Sequence, residues 1–408
     1  MSANFSKSGP SWTETLQVRG ADAVAGIVDE ILARAIGAQA TDIHFEPMAE
    51  SLRVRFRLNG LLQTMADLPP RHTEQIIGRL KVLAGLLTYK TDQPQDGYIP
   101  PPKDFPRAEL RVSTFPTVHG EKTVVRIFDS KRVLFDLDTL GFHGTTLAEF
   151  KELLLRAQGL VILTGPAGSG KTTTLYSALK FLQREIGDWA SVSTIEDPVE
   201  CQMEGICQTQ IAPHAGFGYA EALRALLRQD PKIIFLGEIR DVATAQIAVQ
   251  AGLTGHLVLT TMHSGSAAGV FARMLHMEIE PFLVASAVSG VVSQRLVRTV
   301  CSFCPEHDAP EPALLRFPHA DKVNDKLPSK FRRGRGCEQC ADTGYRGQTV
   351  LSELLTVNST LREAILAKAT TEQLAAAAAE RDLWIDGYEK ACAGITTLAE
   401  LHRVLATE

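Results

Sequence analysis

Residues Gly165-Pro166-Ala167-Gly168-Ser169-Gly170-Lys171-Thr172 fit G-x-x-x-x-G-K-S/T, the pattern of a phosphate-binding loop. The apolar run Leu160-Val161-Ile162-Leu163 precedes them, and Thr173-Thr174-Leu175-Tyr176 reads as the first turns of a helix. A strand that delivers such a loop to a helix N-terminus lets backbone N–H groups close around a β-phosphate. The positive end of the helix dipole then stands behind the anion. In that setting Lys171 reaches the β/γ oxygens, Thr172 ligates Mg²⁺, and residues 165–173 form the nucleotide site. The chain is expected to bind a nucleoside triphosphate.

Three further constellations carry possible chemistry. Ile233-Ile234-Phe235-Leu236-Gly237-Glu238 is an apolar strand ending in a carboxylate. Such a strand places Glu238 beside the phosphate loop, where it can organise Mg²⁺ or an attacking water, the alternative being a plain solvated glutamate. Thr194–Glu200 sets Glu196, Asp197 and Glu200 after another strand. These carboxylates either hold Mg²⁺-bound water and act as general base or form a charged, solvated turn. Cys301-x-x-Cys304 and Cys337-x-x-Cys340 are two knuckles that together make a tetrahedral S₄ set suited to structural Zn²⁺. The gap between the pairs is longer than in common zinc ribbons. Cys201, Cys207 and Cys392 lack partner spacing and are expected to be ordinary residues.

The elements that must position these residues fall into two styles. After a polar tail (1–20), Ala23, Val24, Ile27, Val28, Ile31, Leu32 and Ala35 recur at helical spacing. Leu52–Leu58 alternates apolar and basic residues and runs into a hairpin turn at Asn59-Gly60. A helix over about 72–87, a turn-rich segment at Gln93–Gly97, and strands at 109–113 and 122–128 complete a smaller α+β domain, 21–135. From 136 to 300 apolar strands (160–164, 191–194, 233–236 and 257–260) alternate with helices, the pattern of a parallel α/β sheet. The zinc segment (301–345) and an Ala-rich helical region (346–408), including Leu374–Glu380, follow.

With 408 residues, 45% hydrophobic and 22% charged, the composition is that of a globular protein of two or three domains. A net charge of −5 argues against a surface built to coat nucleic acid. The most apolar stretch of the C-terminal half, Pro281–Val292, is too short and too interrupted to span a bilayer. No secretory signal is visible, so a cytoplasmic location is expected, with any membrane association made through partners.

The motifs occur in a recognisable order. Ala40-Thr-Asp-Ile-His-Phe-Glu-Pro47 comes first, then Glu121-Lys122, the phosphate loop, Thr194–Glu200 and Leu226-Leu-Arg-Gln-Asp-Pro231. Gly237-Glu-Ile-Arg-Asp241, Leu253-Thr-Gly-His256 and the paired cysteines complete the series. Over residues 22–357 the chain resembles the type II secretion and type IV pilus assembly ATPases. The resemblance implies a RecA-like P-loop motor domain behind a smaller α+β domain, with ATP as the nucleotide. It also implies a homo-hexameric ring at the cytoplasmic face of the inner membrane, acting on a membrane platform protein, with no direct nucleic-acid partner. By the same resemblance Glu238 is the catalytic glutamate, Glu196, Asp197 and Glu200 form an aspartate box, and His256 and His263 form a histidine box. Arg111 and Arg126 match arginines of the smaller domain that serve the γ-phosphate, and Arg224 and Arg228 match arginines near a subunit boundary.

The chain departs from the family pattern at Asn59-Gly60, at Gln95-Asp96-Gly97-Tyr98 and at His263-Ser-Gly-Ser-Ala267, which lacks an acidic residue. The N-terminal docking module of many relatives is expected to be absent. Two other readings are a pilus retraction or DNA-transfer ATPase, whose members generally lack the zinc module, and a weakly hydrolysing regulatory scaffold.

Overall fold

The computed structural model describes residues 23–406 apart from 103, 107, 130–134, 188–189, 213–214, 317–329, 341 and 379–381. The chain forms two compact units that divide between residues 132 and 133.

The first unit is a six-stranded sheet made of β1 (Asp42–Pro47), β2 (Leu52–Leu58), β3 (Leu61–Leu68), β4 (Gln95–Ile99), β5 (Ala108–Thr117) and β6 (Gly120–Asp129). Its order is β3-β2-β1-β6-β5-β4, and every neighbouring pair is antiparallel. Alternation along the strands gives the sheet two chemically opposite faces. Ile43, Phe45, Val54, Phe56, Leu110, Val112 and Val125 are buried in one core with residues of the helices Ala23–Gly37 and Thr73–Leu83. His44, Glu46, Arg55, Arg57, Lys122 and Arg126 occupy the other face, whereas Glu121 of β6 turns to the helix side and is buried against Lys81 at 2.8 Å. Asn59 and Gly60 take the positive φ values, 49° and 81°, of a two-residue hairpin turn. The turn-rich reading of 93–97 needs correction: Gln95 to Gly97 begin the edge strand β4. Gln95 anchors that edge by bonding both the N–H and the carbonyl of Leu87, each at 3.0 Å.

The second unit is built on β7 (Gly159–Thr164), β8 (Val192–Glu196), β9 (Cys207–Gln210), β10 (Ile233–Leu236), β11 (Leu257–Met262), β12 (Val288–Val300) and β15 (Tyr345–Thr356), while the short β13 (Pro305–His307) and β14 (Arg332–Gly334) pair with each other. The order is β15-β12-β7-β11-β10-β8-β9. All neighbours are parallel except β12 and β15, so the sheet is mixed where the strand pattern predicts a parallel one. The long β12 was hidden within the apolar stretch from 281, whose first part is the short helix Pro281–Ala287. Both sheet faces are covered. Leu163, Phe235, Leu259 and Val292 pack in one core with the helix Lys171–Ile186. Ile162, Leu236, Val258 and Val291 pack in a second core with the helices Val242–Leu253 and Ala267–His276.

The region from 346 opens as a strand, because β15 completes the main sheet before the helices Ser359–Leu366, Thr371–Ala378, Leu383–Cys392 and Leu398–Leu405 follow. Part of the expected Leu374–Glu380 helix, residues 379 and 380, lies outside the described residues. Buried ion pairs fasten the last helices to β12 and β15. Glu400 binds Arg298 and Arg403, and Asp386 binds Lys390 at 2.7 Å and the Ser352 N–H at 2.8 Å. Among the described residues, no helix is long and apolar enough to cross a membrane.

Candidate active site

Parallel pairing decides which residues meet. Met262 of β11 lies opposite Thr164 of β7, and Leu236 of β10 lies opposite Ile195 of β8. The segments that leave the C-terminal ends of these four strands therefore gather at one sheet edge, the usual ligand edge of an open α/β sheet. They carry the phosphate loop, Glu196-Asp197, Glu238 and His263.

The loop needs its glycines for definite reasons. Gly165, Gly168 and Gly170 have φ of 142°, 76° and 87°. A Cβ on Gly165 would stand 2.4 Å from the Gln294 carbonyl oxygen, whereas Gly168 has nothing within 4 Å. Gly170 caps the helix that starts at Lys171, and Thr172 and Thr173 lie half-buried in its first turn. Lys171 Nζ donates to the carbonyls of Gly165 and Pro166 at 2.7 and 2.9 Å, holding the loop curled around its own cation. Burial lowers the Lys171 ammonium below its ordinary range; Arg295 adds to this and Glu238 opposes it. The Ser169 hydroxyl is buried without a partner among the described residues. A cation and a partnerless hydroxyl on one glycine-rich loop at a helix N-terminus suit a phosphate chain.

Glu238 leaves β10 through Gly237, where a Cβ would stand 2.8 Å from the Tyr219 hydroxyl and 3.2 Å from the Ile195 carbonyl oxygen. Its carboxylate binds Arg240 and lies 3.4 Å from His263 Nε2. Arg240 also reaches toward Asp197 at 3.8 Å. This edge therefore has two carboxylates and two basic groups beside the phosphate loop.

Glu196 is placed differently from its neighbours. It is 3% exposed and accepts bonds from the Tyr176 hydroxyl, from Thr194 Oγ1 at 2.6 Å and from Gln208 Nε2 at 3.1 Å. Burial raises the Tyr176 hydroxyl pKa, and the bond to Glu196 raises it further. The same hydroxyl accepts the backbone N–H groups of Glu200 and Cys201, each at 3.3 Å. Glu196 thus anchors the turn that presents Asp197 and Glu200.

His256 is not at this edge. It precedes β11, and its carbonyl accepts the Gly159 N–H at 3.0 Å, at the start of β7. Its Nδ1 donates to the Ala251 carbonyl at 3.1 Å. A strand's length, roughly 20 Å, separates it from the phosphate loop, so His256 and His263 lie at opposite ends of β11. Arg224 and Arg228 are exposed, Arg224 lying 3.6 Å from Glu221 and Arg228 donating to the Arg224 carbonyl at 2.9 Å. Arg111 and Arg126, in the first unit, stand directly opposite each other on β5 and β6. Arg126 lies 3.1 Å from Asp42, which Arg57 also approaches at 3.3 Å, and Arg111 covers the Phe128 ring at 4.8 Å.

The four cysteines come together as their spacing predicts. Their sulfur atoms lie within 4.8 Å of one another, with Cys301–Cys337 and Cys304–Cys340 at 3.9 Å and Cys337–Cys340 at 3.7 Å. Four sulfurs at about 2.3 Å from a tetrahedral zinc are about 3.8 Å apart. Cys340 Sγ also accepts the N–H groups of Cys337 and Gly344 at 3.2 and 3.3 Å, which fix the direction in which the sulfur faces the other three. The donor set fits Zn²⁺. Cys201 and Cys392 are buried and Cys207 is exposed.

Sequence reasoning missed Tyr176, Arg240 and Arg295. Arg240 stood in plain view within Gly-Glu-Ile-Arg-Asp, two residues from the glutamate it binds. Gln294-Arg295 interrupts an apolar run, and polar groups in a doubly covered strand must find partners.

A family model described as Type II/IV secretion system protein matches residues 17–403. The type II secretion system protein E of Xanthomonas campestris is 41% identical over 93% of this chain and 67% of its own length. The type IV pilus assembly ATPase PilB of Thermus thermophilus is 41% identical over 92% of this chain, which spans only 42% of that relative. Among solved structures, the ATPase DotB of Legionella pneumophila superposes with a TM-score of 0.69 at 19% identity, covering 94% of this chain and 96% of its own. That likeness shows the fold.

Proposed function

The chain belongs to the type II/IV secretion system protein family, and on that premise we propose that it hydrolyses ATP to drive assembly of a secretion pseudopilus or pilus. One observation supports the reading most directly. The curled phosphate loop, Glu238 with its basic partners, and Asp197 share one sheet edge, each delivered by a parallel strand. Phosphoryl transfer requires positioning and charge neutralisation more than covalent help from the protein, and this edge supplies both.

In this reading Lys171 neutralises the β/γ oxygens and Thr172 would hold Mg²⁺, which spreads the charge of the transferring group. Glu238 orients the attacking water. Arg240 and His263 set the direction of that carboxylate, and Asp197 and Glu200 line the same edge. Glu196 positions rather than reacts. Arg111 and Arg126 keep, as cations for a phosphate, the role that the family pattern gives them. The RecA-like character of the motor unit, the hexameric ring with Arg224 and Arg228 near the subunit boundary, a peripheral place at the inner membrane and a platform partner belong to the same proposal. Zn²⁺ held by Cys301, Cys304, Cys337 and Cys340 would be structural, since four thiolates leave no open position.

Phosphate release from ATP and Mg²⁺, with Lys171→Ala as control, tests the proposal. Wild-type turnover no greater than that of Lys171→Ala would refute it and leave the regulatory scaffold.

A further inference from the structure

The longest strand of the second unit, β12, carries two polar residues that none of the roles above uses. Gln294 and Arg295 are 0% and 2% exposed. A guanidinium withdrawn from water is costly unless its donors are met. Arg295 Nη1 donates to the Gln294 carbonyl at 3.0 Å, and Nη2 donates to the Gly265 carbonyl at 2.7 Å.

Both ends of this fork lead to the site. The Gln294 backbone lies against Gly165, where a Cβ would stand 2.4 Å from the Gln294 carbonyl oxygen and 3.2 Å from Arg295 Nη1. The Gln294 side chain donates to the Ser169 carbonyl at 2.6 Å. One dipeptide of β12 therefore backs both the entry of the phosphate loop and its fifth residue. The Gly265 end belongs to the segment that leaves β11. Arg273 donates to the His263 carbonyl at 2.8 Å, and Thr164 Oγ1 accepts the Ser264 N–H at 3.0 Å. The side chain of His263 faces Glu238.

We propose that Arg295 is a positioning residue for the γ-phosphate end of the site. Its two nitrogens tie the backing of the phosphate loop and the His263–Gly265 segment into one frame. The inference rests on the ATP reading above. A guanidinium fork spans two fixed acceptors, which a lysine ammonium cannot reproduce. Loss of the fork removes the tie between β12 and the His263 segment, leaving that segment to Thr164 and Arg273, while the loop keeps its own glycines, Lys171 and the Gln294 side chain. The β-phosphate cradle survives and the γ-phosphate end slackens.

The test uses the full chain with Arg295→Lys, which keeps the charge, and Arg295→Gln, which keeps one donor. Thermal unfolding, affinity for ADP and for a non-hydrolysable ATP analogue, and kcat are compared with wild type. Both variants should unfold cooperatively and bind ADP within about threefold of wild type. The analogue should bind less tightly relative to ADP, and kcat should fall about 10- to 100-fold. Equal loss of ADP and analogue binding, or a kcat within twofold of wild type, overturns the proposal. Failure of both variants to unfold cooperatively also overturns it, since Arg295 is then only a core residue. A wild-type chain that binds no ATP would instead overturn the reading beneath it.

Discussion

Glu196 and Glu238 are both carboxylates at the ligand edge, yet replacing them should give opposite results. Glu196→Ala removes the acceptor for the Tyr176 hydroxyl, Thr194 Oγ1 and Gln208 Nε2 in a site that is 3% exposed. A buried donor left without a partner costs about 1–3 kcal/mol. The Tyr176 and Thr194 hydroxyls lose this acceptor outright, while Gln208 Nε2 keeps the Cys201 carbonyl at 2.9 Å, so the net loss is about 2–5 kcal/mol, toward the severe end for one substitution. The Glu200 and Cys201 N–H groups, which rest on the same tyrosine, lose their fixed acceptor as well. Glu238 is held by Arg240 and by His263, whose side chains are more than half exposed. Exchanging it for glutamine disturbs surface pairs worth about 1 kcal/mol or less. Urea unfolding measures the first effect as a lowered midpoint with an unchanged slope. Glu238→Gln should keep nearly the wild-type midpoint, retain ATP and stop hydrolysing it. A Glu196→Ala chain as stable as wild type but inactive, beside a Glu238→Gln chain that turns over normally, would refute this division.

Lys171→Ala should abolish phosphate release and weaken nucleotide binding strongly, because it removes the point charge on the β/γ oxygens; binding of a fluorescent nucleotide analogue checks it. Zinc-replete protein should carry one zinc per chain, with X-ray absorption showing four sulfurs at about 2.3 Å, and replacing Cys304 and Cys340 by serine should remove the metal. Burial opposes ionisation of Glu400, but Arg403 and Arg298 outweigh it and hold its carboxyl down to about 2. The unfolded value is about 4.3, so this group contributes stability above that pH and loses it as the pH falls toward 2. Circular dichroism should show that loss, and Glu400→Gln should flatten its slope in the same window. Mixing Lys171→Ala with Arg228→Ala subunits should restore some activity if each site borrows Arg228 from its neighbour, whereas no recovery in rings shown to be mixed would place Arg228 within its own subunit.

Local signals carried the phosphate loop, the strand before Glu238, the cysteine knuckles and the Asn59-Gly60 turn. Each of these is a short pattern whose chemistry fixes its geometry. Reach across the sheet was less legible. Nothing in the alternation of 345–356 says that this segment pairs with β12 across the zinc-ligand insert. The Ala-rich composition that marks Ser359–Leu405 as helical says nothing of the strand Tyr345–Thr356 before it. Gln95 to Gly97 read as turn because polar and glycine residues there are also what an exposed edge strand tolerates. Tyr176 and Glu196 belong to different motifs in the sequence, and only the packing of the loop's helix against β8 joins them.

Motif order along a chain records which residues recur together, but strand direction decides where they act. His256 and His263 stand at opposite ends of β11, so their closeness in sequence puts them about as far apart as one strand allows. His263 follows the strand's C-terminal end and meets Glu238. His256 precedes its N-terminal end and donates to the Ala251 carbonyl in the last turn of the preceding helix, beside the Thr254 N–H that caps it. The same logic explains why Arg295 escapes a motif reading. It lies on β12, far along the chain from the phosphate loop, yet β12 is the immediate neighbour of the strand that delivers it. In a parallel sheet the strands flanking the loop are the natural carriers of its positioning groups. Here β11 on one side brings His263, and β12 on the other brings Gln294 and Arg295.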